Sequence, residues 1–479
     1  MIAAGRRVFF FNPPGRLFQR GEDRSQGNVE DATATVLRTP IDLCAMAAVA
    51  RAQGASCRIV DFPAEGGNWD DFSRELDAAA PDVAVMSVTS ATLLDDLRAM
   101  RMIRERFPWA RLIAKGAVFF KPPLSLLKRP ELDCLDYAIG GEADFAFEGL
   151  LSVMFGGADA AAVDGISYRT SERGWRSTEF GRFEADLDRL PLPARDLIRN
   201  ELYVRPDTNE PQTTIVVARG CPYECTFCLT PEISGRQARH RSPGSVCDEI
   251  EHCVRALGLR NFFLRADTFT LNEDWVGALC GEIFRRGLDI SWVANSRVAP
   301  PVRLETFAAM RRAGCWLVAF GFESGSPRSL ERMKKTAGIE QAYESARRAR
   351  AAGLKVFGLF LIGLPWEEAG DIAATEELAR RLACDFYEVH IAVPYPGTEL
   401  GREVGLPAEA MLGPDYFTNP PVGTAMLSRE RIIEMRRAMI RKLHLNPSYV
   451  GRRLLDMRDP RKLRAYLRFG WRLLRATWP

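Results

Sequence analysis

The sequence predicts an α/β protein made of two successive βα systems followed by a helical end. Three observations predict it. Short apolar runs alternate with longer helical patterns through residues 1–155. The alternation resumes between Thr213 and Leu400, six times over. Beyond Thr398 only helical periodicity remains, over 401–479.

In the first half, Arg7–Phe11, Cys57–Asp61, Asp82–Ser87, Arg111–Lys115 and Asp136–Ile139 read as strands, mostly apolar enough to be buried on both faces. Pro40–Gln53, Trp69–Ala79 and Ala91–Phe107 read as the helices between them. Buried strands joined by helical crossovers make a parallel, doubly wound, Rossmann-like sheet. Its ligand belongs beyond the carboxyl ends of the strands, near the switch point. Those ends carry Asn12, Ser87, Thr89, Gly116, Gly140 and Glu142, and small residues there let a large flat ligand approach the backbone. Residues 156–212 read as a linker, in which Gly165–Tyr168 can add a small strand and the Pro-rich Leu190–Asp196 marks the boundary.

In the second system, residues 213–400, the strands are Thr213–Ala218, Asn261–Arg265, Ile290–Val293, Trp316–Phe320, Val356–Leu361 and Phe386–Ala392. Ser245–Leu257, Asp274–Arg286 and Leu304–Ala313 are helices, and Gly258, Gly287, Gly314 and Gly353 stand where left-handed caps are wanted. Six βα units make a partial, TIM-like (β/α)6 barrel with its active residues at the strand ends. The first end leads into Cys221, Cys225 and Cys228, spaced C-x3-C-x2-C. Three thiolates on one tight loop can hold three corners of an iron–sulfur cube and leave the fourth iron open. Structural zinc wants four closed ligands, and the next His or Cys is His240, with no partner at finger spacing. The other eight cysteines mostly sit in apolar runs and read as small buried hydrophobes. Later strand ends supply Arg297, Glu323, Ser324 and Gly363.

The cysteine loop, with Phe227 before its last cysteine, resembles that of the radical S-adenosylmethionine (SAM) superfamily. The runs Phe320–Gly325, Leu361–Glu367 and Pro394–Thr398 match motifs of the same barrel. The resemblance implies a [4Fe–4S] cluster on Cys221, Cys225 and Cys228, SAM at the open iron, and its cleavage to a 5′-deoxyadenosyl radical. Glu323 and Ser324 then suit the ribose, Arg297 or Arg265 the methionyl carboxylate, and Phe227 with the Gly363 backbone the adenine. The first half, with Phe11–Pro14 and Gly140–Glu142, resembles the cobalamin-binding domain of the cobalamin-dependent members. None of the four histidines lies in that half, so no imidazole from it can ligate cobalt; Lys115 stands where relatives usually carry a glycine.

The implied function is radical functionalisation of an unactivated carbon, most directly C-methylation of a lipid or natural product, with a flavodoxin- or ferredoxin-like electron donor. Ring formation or rearrangement without methyl transfer uses the same cofactors. Lys+Arg 65 against Asp+Glu 62 suggests no polyanion partner, hence no nucleic acid. An RNA methylthiotransferase would need a second cysteine triplet, and a non-catalytic cobalamin sensor would not need the cysteine loop. No secretory pattern or membrane-length apolar run is present, which predicts a cytoplasmic protein. Leu463, Tyr466, Leu467, Trp471, Leu474 and Trp478 alternate with arginines, which predicts an amphipathic helix for docking on the barrel or for peripheral membrane contact.

Overall fold

The computed structural model describes residues 1–20, 29, 37–172, 174–413, 421–456, 462, 463, 465 and 470. The amphipathic pattern predicted beyond Pro460 falls almost entirely outside the described residues.

Two sheets organise the chain. The first contains β1 (Arg7–Asn12), β2 (Ser56–Asp61), β3 (Val83–Ser87), β4 (Arg111–Lys115), β5 (Tyr137–Ile139), β6 (Ile166–Arg169) and β7 (Trp175–Ser177), in the order β2-β1-β3-β4-β5-β6-β7. The first five run parallel, and β6 and β7 are added antiparallel. The expected linker thus begins by completing this sheet. Alternation along β1 explains the two-sided burial. Phe9 and Phe11 face a core shared with Phe72, Leu97 and Met100, while Val8 and Phe10 face Leu43, Ala47 and Phe147. The strand order reverses between β1 and β3, so the topological switch point lies at the ends of those two strands.

Two short strands, β9 (Ala218–Arg219) and β10 (Arg239–His240), pair antiparallel beside the second sheet. That sheet contains β8 (Gln212–Val216), β11 (Asn261–Arg265), β12 (Ser291–Ser296), β13 (Cys315–Glu323), β14 (Lys355–Ile362) and β15 (Phe386–Ile391), all parallel and neighbours in chain order. This is the order of a (β/α) barrel left open between its first and last strands. Gly258, Gly287, Gly314 and Gly353 all take positive φ, from 60° to 96°, as expected.

Both flanks of the open sheet meet arginines. Arg195 donates to the Thr214 carbonyl (2.6 Å) and Arg241 to that of Val216 (3.2 Å) on β8. Arg436, on the helix Arg429–His444, donates to the Val389 carbonyl of β15 at 2.7 Å. Ile432, Met439, Ile440 and Leu443 of that helix join the barrel core.

Candidate functional site

The cysteine loop is the segment between β9 and the helix Thr230–Ser234, and it is tied down at several points. Gly220 has φ 89°, and a Cβ there would stand 2.1 Å from the Gln237 carbonyl oxygen, so only glycine fits. The Gly220 N–H donates to Asp267 at the end of β11 (2.8 Å), and the Cys221 N–H to the Gly235 carbonyl (3.0 Å). Thr226 stitches the loop across the mouth: its N–H donates to Met333, and its carbonyl accepts from Leu400 (3.0 and 2.9 Å). Phe227 packs against an apolar cluster that includes Leu330, Met333, Leu364 and Trp366.

The three thiols are only partly buried, whereas seven of the other eight cysteines are buried. Cys228 acts electrostatically on both Cys221 and Cys225, so the thiols share one region. Burial raises Cys221, and raises Cys225 to about 11 despite the nearby positive charge of Lys335. Such thiols stay protonated until a metal displaces the proton. The Cys228 thiol donates to the Thr230 hydroxyl at 3.2 Å, and its sulfur accepts from the Thr230 N–H at 3.4 Å. Among the described residues no group of three or more His, Cys, Asp or Glu is placed to hold a single metal ion.

Around the thiols the strand ends bring two charged groups, Arg297 buried and Glu323 partly buried. Arg297, just past β12, lies face-on to Tyr223 of the loop, 3.2 Å from its ring centroid, and hydrogen-bonds Thr336. Its Nε and Nη1 are buried without a hydrogen-bond partner. A guanidinium left short of acceptors is expected where an anion belongs. Glu323 ends β13 at φ 64°, after a register irregularity between Gly321 and Glu323. This re-aims the carboxylate toward Lys335, at 2.9 Å. Burial works against the Lys335 charge, but Glu323 and Cys225 outweigh it and raise its pKa.

Two residues with no sequence-based role support this mouth. Asp267 holds Gly220, as above. Glu367 is buried and accepts from the N–H groups of Gly363 and Leu364 (2.8 and 3.2 Å) and from the Ser329 hydroxyl (3.1 Å). It thereby fixes the turn after β14 on which Phe227 rests. Burial raises its carboxyl to about 7, against the pull of those donors.

Several expectations need correction. Ser324 does not face the mouth as a free hydroxyl: it is fully buried, bonds Thr375 at 3.0 Å and accepts from the Ser326 N–H at 3.1 Å. Gly363 offers no N–H, since Glu367 takes it. In the first sheet, Ser87 donates to Asp42 (3.1 Å), and Lys115 forms a buried ion pair with the same Asp42. Thr89 is engaged by Thr92 at 3.0 Å. Gly116 and Gly140 are also required by protein packing, since added Cβ atoms would stand 2.4 Å from the Val88 carbonyl oxygen and 2.0 Å from that of Phe119. Glu142 is turned away toward Arg239 (2.5 Å). Asn12 is different. Its amide supports Asp61, which also accepts from Tyr203 at 2.9 Å, while its Oδ1 is buried and unpartnered beside the switch point.

Comparison with known proteins adds to this geometry. Residues 215–379 match the model of the radical SAM superfamily. The chain is 30% identical over 363 residues to an uncharacterized methyltransferase of Pyrococcus horikoshii, covering 75% of this chain and 77% of that one. It is 24% identical over 413 residues to the anaerobic magnesium-protoporphyrin IX monomethyl ester cyclase of Rubrivivax gelatinosus, covering 84% of this chain and 74% of the relative. Its fold is similar to that of the radical S-adenosylmethionine methyltransferase TsrM from Kitasatospora setae, solved with cobalamin and a [4Fe–4S] cluster bound. The TM-score is 0.64 at 18% identity, with 83% of this chain and 78% of that chain covered.

Proposed function

This chain belongs to the radical SAM superfamily of enzymes, and from that premise we propose that it is a cobalamin-dependent C-methyltransferase acting on an unactivated carbon of a small molecule, in the lipid or natural-product class. The observation that carries the reading is the pairing of three thiols on one pinned loop with the unpartnered, buried nitrogens of Arg297 beside it. Cys221, Cys225 and Cys228 would hold three irons of a [4Fe–4S] cluster, a donor set that fits such a group and leaves one iron without a protein ligand. When bound, the cluster with SAM supplies a radical able to take hydrogen from carbon, and cobalamin supplies the methyl group.

The side chains do the positioning. Arg297 would pair the methionyl carboxylate of SAM. Glu323, steadied by Lys335, would accept from the ribose hydroxyls. Phe227 and the Gly363 carbonyl would wall the adenine. At the β1/β3 switch point the Asn12 Oδ1 would accept an N–H from a corrin side chain. The apolar packing around Phe227 would keep water from that side of the mouth. The relationship to the Rubrivivax cyclase supports a second reading, radical ring formation without methyl transfer.

The test is anaerobic reconstitution with iron, sulfide and cobalamin, then reduction and incubation with SAM. Mass spectrometry should find 5′-deoxyadenosine together with S-adenosylhomocysteine, both lost in Cys225→Ala. 5′-Deoxyadenosine alone would favour the second reading. Stoichiometric zinc in place of iron would end both. A flavodoxin- or ferredoxin-type donor is proposed as the reductant. Among the described residues no helix is long and apolar enough to cross a membrane, and peripheral contact through the carboxyl-terminal segment stays a proposal.

A further inference from the structure

Four buried charges join the first sheet to the cysteine loop. Arg219 is the second residue before Cys221, and Arg239 lies directly opposite it in the β9–β10 pair. Arg219 grips Asp144 with both terminal nitrogens, at 3.0 and 2.5 Å, and stands 3.7 Å from Glu142. Arg239 grips Glu142 in the same way, at 3.1 and 2.5 Å, and also donates to the Ser234 carbonyl at 2.9 Å. All four side chains are at most 7% exposed. Both acids lie at the start of the helix Ala143–Gly156, just after β5, where the helix dipole favours negative charge. The group carries two positive and two negative charges in a space with little water.

We propose that Glu142, Asp144, Arg219 and Arg239 act as a charge-balanced clasp: they fix the cluster loop against the first sheet and hold the electrostatic field at the cluster, so that these are positioning residues for electron transfer. The proposal rests on the cluster reading above. Buried pairs in low dielectric hold geometry well, and losing one partner leaves an uncompensated charge. With Asp144 neutralised, Arg219 stands unbalanced near Cys221 and favours the reduced, more negative cluster. With Arg219 neutralised, the surplus negative charge favours the oxidised one. A purely mechanical tether would loosen alike in both cases and predicts no such reversal of sign.

The experiment is a potentiometric titration of the reconstituted full chain, followed by the cluster absorbance. Asp144→Asn is expected to shift the midpoint to more positive potential and Arg219→Met to more negative potential, with Asp144→Glu close to wild type. Shifts of the same sign, or no shift in either variant, overturn the proposal. Should a single variant fail to load, the double variant Asp144→Asn with Arg219→Met leaves no charge of that pair unbalanced. It is expected to load and titrate near wild type, and its failure also overturns the proposal. Trypsin cleavage of the unloaded chain between Arg219 and Arg241 gives an independent reading, expected to be several-fold faster in Asp144→Asn; an unchanged rate counts against the clasp. Wild type that takes up no iron would instead sink the cluster reading, and the cleavage rates would still judge the clasp.

Discussion

Glu367 gives a prediction whose size follows from its surroundings. Its carboxyl is raised from 4.5 to about 7, so the folded state binds that proton more tightly than the unfolded chain does. Stability must then fall as pH rises from about 4.5 to about 7 and level off above. A shift of this size corresponds to about 3 kcal/mol, at roughly 1.4 kcal/mol per unit. Glu367→Gln keeps an acceptor for Gly363 and Leu364 and removes the titration. The wild-type-minus-variant stability difference should therefore change by about 3 kcal/mol between pH 4.5 and 8, with wild type relatively weaker at the alkaline end. Glu367→Ala behaves otherwise. It strands the N–H groups of Gly363 and Leu364 and the Ser329 hydroxyl, at about 1–3 kcal/mol for each buried group left unsatisfied, and should be destabilised at every pH. Urea unfolding across pH reads all three proteins. Parallel pH profiles for wild type and Glu367→Gln would refute the reasoning, as would an alanine variant as stable as the glutamine one.

Four further outcomes are expected. Gly220→Ala should abolish iron incorporation, measured by metal analysis, because the Cβ meets a carbonyl oxygen at 2.1 Å and the backbone is left-handed. Arg297→Met should weaken SAM binding at least tenfold by equilibrium dialysis while iron content holds, a loss of about 1.4 kcal/mol or more. Lys115→Met should destabilise by about 3–5 kcal/mol in urea by leaving Asp42 buried and unpaired, and adding Asp42→Asn should recover most of it. Asn12→Ala should reduce cobalamin affinity, read by difference spectroscopy, without altering iron content.

Much of the fold is legible in the sequence because its strands are apolar runs set between longer helical patterns, several of which end on a glycine. Asn261–Arg265 and Arg111–Lys115 match their predicted bounds. The short pairs are not legible: β9 and β10 have two residues each and β7 three, too few for any periodicity to show. The cysteine spacing marks the loop plainly. What it cannot carry is the direction in which neighbouring polar groups point. Ser324 and Glu142 stand at the right strand ends, yet a buried hydroxyl bonds the nearest helix, and a buried carboxylate is taken by whichever guanidinium reaches it first. In the sequence Glu367 closes the Leu361–Glu367 run and is followed by a second glutamate, Glu368. Only the fold reveals that it turns inward to bind two backbone amides.

The unclosed second sheet has a consequence for how the molecule keeps to itself. A parallel sheet that stops short of a cylinder offers outward carbonyls on both margins, ready to template a strand from another molecule. Here Arg195, Arg241 and Arg436 occupy such oxygens with side-chain donors, which end the ladder without adding a strand. Guanidinium groups thus serve as stoppers at either rim, and the barrel can remain open without becoming adhesive.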